Sequence, residues 1–170
     1  MNDTVDLKAK GAPNRVDALN HLLKLHNRLM VPFSVHLEKR HRITLNEFRV
    51  LMLIGQLGHT ASHELAVELG VNTMAVSRAV AALAGRGLID VSVDPDSRRR
   101  KILRLTDGGQ RLFDEMHPST LRVADYLFSA LRPHEVLAFN HFVEVLTERL
   151  EAEDEGGRSV FLHETRPDGE

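Results

Sequence analysis

With 170 residues, 42% of them hydrophobic and 27% charged, the chain has the composition of a globular protein and enough apolar material for a sizeable core. It holds 22 Lys and Arg against 24 Asp and Glu, a formal charge of −2, and no cysteine. That excludes a disulfide framework, a thiolate nucleophile and cysteine-based redox sensing, and leaves only His and carboxylates as metal donors. No apolar run nears the roughly 18 residues of a membrane span. The stretch Met1 to Asp6 also lacks a charged-then-apolar leader, so a cytoplasmic protein without membrane contact is expected.

Residues 1–13 mix Gly, Pro, Asn and charges without period and read as a flexible arm. A helix is predicted from Pro13 or Asn14, because Leu19, Leu22, Leu23, Leu25, Leu29 and Met30 recur at spacings of three and four. This stripe is wider than a lone surface helix needs. Pro32 lacks a backbone donor and is expected to kink or interrupt the helix, with a continuation through Val35, His36 and Leu37.

Thr44 and Glu47 have capping-box spacing ahead of a helix from Leu45 to about Leu57, in which Phe48, Leu51, Met52 and Gly55 share a face and Gly58 supplies the stop. Thr60 or Ser62 would cap a short helix through Leu65, Ala66 and Leu69, ended by Gly70. Asn72 would cap the next, Thr73 to Arg86, with Val76, Val80 and Leu83 facing inward. Two short helices joined by Gly70-Val71-Asn72 fit a helix-turn-helix.

Residues 88–93 and 102–105 read as hairpin strands, with Asp94-Pro95-Asp96-Ser97 as turn chemistry discharging into Arg98, Arg99, Arg100 and Lys101. A charged hairpin directly after a helix-turn-helix outlines a winged DNA-binding domain over 43–105. From Ile43 to Leu105 eight Lys and Arg outweigh six Asp and Glu, whereas from Glu148 to Glu170 eight acidic residues face three basic ones. The acidic average therefore resides in the tail, and a local basic patch is what attracts phosphates.

Thr106 is placed to cap a long helix running to about Leu131, with a kink at Pro118. Pro133 fits the first turn of a last helix carrying Phe139, Phe142, Val143, Leu146 and Leu150 on one face. The acidic, Gly-containing tail 152–170 is expected to be disordered. The terminal segments 14–42 and 106–151 carry more apolar surface than the small lobe can cover. Packing them against a second copy would bury it, and a two-fold dimer also suits palindromic double-stranded DNA. The expected fold is thus mainly α with a small β-hairpin wing: a winged helix-turn-helix flanked by N- and C-terminal dimerisation helices.

The residues Leu65-Ala66 through Gly70, Val76-Ser77-Arg78, Leu83, Gly87-Leu88, Asp94-Pro95-Asp96 with Arg98-Arg99, and Leu105-Thr106 with Gly109 resemble the MarR family of winged helix-turn-helix regulators. The resemblance covers roughly 14–150. It implies a triangular or pentagonal homodimer with intertwined terminal helices and two winged lobes on successive major grooves. Most members repress transcription, and many release DNA when a small, often aromatic and anionic ligand binds between the dimerisation helices and the winged lobe. Asn72 stands at the family's helix-capping Ser, and Ser77 and Arg78 at its Ser-Arg pair. Ala75 stands where the family often has Thr, which removes one polar contact from the groove. The resemblance further implies that Asp96 and Arg98 brace the wing turn and that a basic tip enters the minor groove.

The candidate DNA-binding residues are Asn72, Thr73, Met74, Ser77 and Arg78, with Arg98, Arg99, Arg100 and Lys101 in the wing. Arg pairs with guanine or phosphate, and the Thr and Met methyls pack on thymine methyls. Successive wing residues alternate in direction, so only some face DNA at once. For the effector, His26, Phe33, Phe48, Arg49 and Met116 could line an apolar slot in which an aromatic acid stacks its ring and meets a cation.

His36, Glu38 and His41 form the densest metal-like cluster, of a type suited to zinc. The His pair is five apart instead of the four of a compact helical site, so no metal or cofactor is expected. A zinc-responsive regulator or a ligand-binding interaction protein of the same fold is the alternative. No nucleophile elbow, Gly-rich phosphate loop or motif-borne carboxylate pair is present, so an enzyme is not expected.

Overall fold

A computed structural model describes residues 14–61, 64–94 and 97–166, the side chains of 97–100 excepted. The arm 1–13, Ser62, Asp96 and residues 167–170 therefore lie outside the described residues. The chain divides into two compact units, Met1–Glu115 and Met116–Glu170, taken here one at a time.

The first unit opens with α1, Arg15–His41. The Asn14 side chain caps it by accepting from the amides of Val16 and Asp17 at 3.0 and 3.4 Å. The helix ends at Arg42, whose φ of 54° is the only positive value of a non-glycine among the described residues. Of the kink or interruption expected at Pro32, the interruption does not occur, and α1 continues through Val35, His36 and Leu37 as expected. Pro32 removes one rung of the ladder, and the long turns on either side hold the helical path.

Helix α2, Leu45–Leu57, begins at the expected capping box: Thr44 Oγ1 accepts from Glu47 N at 3.2 Å, and Glu47 Oε2 accepts from Thr44 N at 2.9 Å. Strand β1, Thr60–Ala61, follows where a helix cap was expected. Thr60 instead pairs with Leu103 across a sheet, while its Oγ1 donates to Glu64 Oε2 at 3.2 Å. Helix α3, Glu64–Leu69, and helix α4, Thr73–Gly85, come next, and α2 packs across α4.

Strand β2, Ile89–Asp94, and strand β3, Ser97–Leu105, complete an antiparallel sheet of order β1-β3-β2. The basic residues from Arg98 onward thus belong to a strand that starts five residues earlier than the sequence suggested. The register runs from Ile89↔Leu105 to Val93↔Lys101 and then slips to Asp94↔Ser97, so the backbone of Arg98 to Arg100 falls in an irregularity.

Leu51 and Ile54 of α2, Leu65 of α3, Leu83 of α4 and Leu103 of β3 are fully buried, and Leu37 and Ile43 join the same core. Burying each contributes about 1.5–3 kcal/mol. Below the sheet, Thr106 N donates to Leu88 O at 3.1 Å. Its Oγ1 donates to Gly87 O at 2.7 Å and accepts from Gly109 N at 3.1 Å, closing the hairpin and capping α5, Asp107–Phe128, with one side chain. Phe113 lies against Gly55 of α2, where a β-carbon would overlap its ring.

The second unit contains the rest of α5, which runs through Pro118 without interruption, and α6, Pro133–Glu151, with the proline in its first turn as expected. Phe128 and Phe139 meet edge-to-face at 5.6 Å. The expectation of disorder from residue 152 is overturned as far as Arg166. Asp154 Oδ1 accepts from the amides of Gly156 and Arg158 at 2.8 and 3.0 Å, its Oδ2 from Arg158 Nε at 2.9 Å, and Glu153 bridges Ser159. Ser159 then caps α7, Val160–Thr165. These local side-chain bonds hold a segment whose composition suggested none. No helix among the described residues is long and apolar enough to cross a membrane.

Candidate nucleic-acid interface

The turn between α3 and α4 closes by two backbone bonds, Gly70 N to Val67 O and Val71 N to Ala66 O, both 3.2 Å, with Gly70 at φ 59°. Asn72 Oδ1 accepts from Ala75 N at 2.8 Å, so its side chain is engaged in starting α4. Val76, Ala79 and Leu83 then point into the core at helical spacing. The opposite face presents Thr73, Met74, Ser77, Arg78 and Ala81 to solvent, with Met74 64% exposed. Arg78 has no hydrogen-bond or ion-pair partner among the described residues.

A concavity of about 510 Å³ runs between α4 and the hairpin, with Thr73, Ser77 and Ala81 on one side and Val91 and Lys101 on the other. Lys101 is exposed at its rim. The sequence-derived set thus resolves into a helix face and one wing cation brought to the same groove. Arg98, Arg99 and Arg100 are placed by their backbone in β3, and the Asp96 partner of the expected brace is outside the described residues.

Arg86 was not singled out in the sequence. From the C-cap of α4 its Nη1 donates to Arg42 O at 2.8 Å and its Nη2 to His41 O at 3.3 Å, while Nη1 lies 3.8 Å from Glu47 Oε2. These bonds span more than 40 positions of chain, which no local pattern announces.

Of the effector candidates, Phe33 and Phe48 meet edge-to-face at 5.0 Å, and the neighbouring Arg49 places Nη2 3.7 Å from Met30 Sδ. His26 stands exposed two turns earlier on α1. Met116 is buried and belongs to the second unit.

The structure does not bring the metal candidates His36, Glu38 and His41 together. Among the described residues no three His, Asp or Glu side chains converge as a metal site. Residues two apart on a helix point about 200° apart, which separates Glu38 from His36. His41 is turned inward instead, with Nδ1 3.9 Å from Glu115 Oε1 and its ring 6.2 Å from that of His36. Burial holds His41 below the ordinary histidine value of 6.5, against the opposing pull of Glu115.

Two helices joined by a tight turn, the second exposed along one face and followed by an antiparallel hairpin, define a winged helix-turn-helix protein. Residues 43–101 match the MarR family model, and over that stretch the chain is similar to the MarR family. The chain is 28% identical over 97 residues to the HTH-type transcriptional repressor NicR of Pseudomonas putida, a match covering 57% of this chain and 61% of that protein. The match thus spans less than two thirds of that relative. FabT of Streptococcus pneumoniae, solved in complex with DNA, superposes with a TM-score of 0.66 at 19% identity, covering 81% of this chain and 98% of FabT. BpsR of Bordetella bronchiseptica, whose DNA binding is regulated by 6-hydroxynicotinic acid, superposes with a TM-score of 0.63 at 24% identity, covering 76% of this chain and 98% of BpsR.

Proposed function

We propose that the chain is a homodimeric transcriptional repressor that binds a palindromic operator and leaves it when a small aromatic acid binds. The observation that carries the reading is the exposed α4 face. Thr73, Met74, Ser77 and Arg78, which has no partner among the described residues, lie exposed on the helix that the Asn72 cap starts, with Lys101 across a groove. The N-terminal end of a helix adds a positive potential suited to phosphate. Dimerisation is supported by the exposed leucines of α1 (Leu19, Leu22, Leu23, Leu25) and the exposed Leu137, Phe142 and Leu146 of α6, which a second copy would cover.

The reading puts the effector at Phe33 and Phe48, which meet edge-to-face, with Arg49 next to Phe48 in sequence as its cation and His26 earlier on α1. A ring stacks on the Phe pair and a carboxylate takes the Arg fork. Release then requires the ligand to favour the lobe spacing that does not fit DNA. The relatives whose names record repression, and regulation by a hydroxynicotinic acid, support both halves of this reading.

The test is fluorescence anisotropy with duplex DNA from upstream of the gene, titrated with salt and with benzoate, 6-hydroxynicotinate and 4-hydroxyphenylacetate. Arg78→Ala is expected to weaken binding at least tenfold and to make the log-log salt slope shallower by about two, one phosphate contact per subunit. Arg49→Ala is expected to leave DNA binding intact and abolish release. Equal affinity and slope for wild type and Arg78→Ala would overturn the DNA assignment.

A further inference from the structure

We infer that Arg86 is a positioning residue for the recognition helix, tying the C-terminal end of α4 to the left-handed turn at Arg42 that joins α1 to α2. The inference rests on the DNA-binding reading above and adds a residue which that reading does not use.

Arg86 follows the recognition helix and its side chain is 39% exposed, so by position alone it would be counted as one more cation for DNA phosphates. Its guanidinium is directed the other way. It donates to the carbonyls of His41 and Arg42, the last groups of α1. Helix C-terminal carbonyls lack intrahelical donors and carry the negative end of the macrodipole, so a cation with two fixed donors is the complement they need. The nearby carboxylate is itself fixed, since the Glu47 oxygen 3.8 Å from Arg86 also accepts from Thr44 N in the capping box of α2. At its own end, Arg86 N donates to Ala82 O at 3.1 Å, so the side chain springs from the last turn of α4. One planar fork thereby joins the ends of α4 and α1 and the start of α2. A lysine, with a single compact ammonium, cannot span both carbonyls in that geometry.

Arg42 makes this junction sensitive. Its φ of 54° is a left-handed conformation that L-residues adopt at a cost, and the bond from Arg86 to its carbonyl helps to hold it there. The pitch of the α4 face relative to α1, and with it the placement of Thr73, Ser77 and Arg78 on a groove, depends on that turn. Loss of Arg86 therefore leaves every DNA-facing cation in place and removes the alignment that lets them read one sequence. Affinity for a preferred duplex should fall while the electrostatic component does not change.

The experiment uses the full chain as wild type, Arg86→Gln, Arg86→Lys and Arg78→Ala. Two duplexes of equal length are titrated with salt: one selected by the wild type from a randomised pool, the other of random sequence. Arg86→Gln is expected to weaken the selected duplex about tenfold and the random one less than about twofold, with an unchanged salt slope on both. Arg78→Ala is expected to make the slope shallower on both. Should Arg86→Gln lose its helical circular dichroism, Arg86→Lys carries the same test, because positioning expects it to lose selectivity while a phosphate-contact role expects near wild-type binding. A shallower slope for Arg86→Gln, like that of Arg78→Ala, would reassign Arg86 to the DNA and overturn the inference. Wild-type selectivity in both Arg86 variants would overturn it as well. Absence of salt-dependent binding by the wild type would instead bring down the DNA reading on which it stands.

Discussion

Gly109 offers a prediction whose size follows from the packing around one carbonyl. A β-carbon added at Gly109 would overlap the carbonyl oxygen of Leu88, a backbone atom that already accepts from Thr106 N at 3.1 Å and closes the base of the hairpin. That oxygen cannot withdraw without opening the β2–β3 junction. Overpacking of this kind costs about 1–3 kcal/mol, and a weakened backbone hydrogen bond about 1 kcal/mol more. Alanine returns roughly 0.5–1 kcal/mol through its better helix propensity. Gly109→Ala should therefore destabilise the protein by about 1–3.5 kcal/mol, a large share of a typical 5–15 kcal/mol. For a chain of this size the melting temperature should drop by about 2–14 °C.

The adjacent Gly108 is the control. A β-carbon there meets the Gly87 carbonyl oxygen and Thr106 Oγ1 at 3.6 Å, ordinary contact distances, so Gly108→Ala should leave the melting temperature unchanged or raise it by about 1–3 °C. Both are read by thermal circular dichroism at equal protein concentration. Opposite signs for neighbouring glycines are the signature of the Leu88 contact. A Gly109→Ala protein melting at or above wild type, or an equal fall in both variants, would refute the reasoning.

Asn72→Ala removes the acceptor of the Ala75 amide and should cost about 1 kcal/mol. Hydrogen exchange resolved along the chain should locate the faster exchange in the first turn of α4. In the second unit, the Arg132 side chain and amide hold the Glu135 carboxyl down to about 2. Because the folded value lies below the ordinary 4.5, the pair's stabilisation is present above that pH and fades as pH falls toward about 2. A carbon-detected NMR titration should follow the low midpoint, and Arg132→Ala should move it up toward 4.5.

Much of the winged lobe was legible because its signals are local. Thr44 and Glu47 sit three apart and cap α2, Asn72 caps α4, and the strand–turn–strand pattern before Thr106 is continuous in sequence. What escaped depends on distant partners. Thr60 and Ala61 are too few to show a period, and only Leu103 and Ile102 make them a strand. Arg86 reads as a generic surface cation until the ends of α1 and α2 are brought beside it. The fold of residues 152–166 was hidden for a different reason. Its composition is that of a solvated tail, but Asp154 bonds two amides and a guanidinium within a few residues of itself. Among the candidate effector residues, helix position alone could not foresee that Met30 would stand against Arg49.

Pro32 gives α1 uneven stiffness. With no N–H at residue 32, the Arg28 carbonyl loses its intrahelical donor, and the rod has one rung missing between two intact ladders. A beam weakened at one section bends there first. The stretch beyond the proline is rooted by Leu37, 2% exposed, while the stretch before it carries the uncovered Leu19, Leu22, Leu23 and Leu25. The compliance therefore sits between the anchored end of the helix and the end whose apolar surface awaits a counterpart. That free end can be steered to fit whatever covers it at little cost in bending energy, without prying Leu37 out of the core.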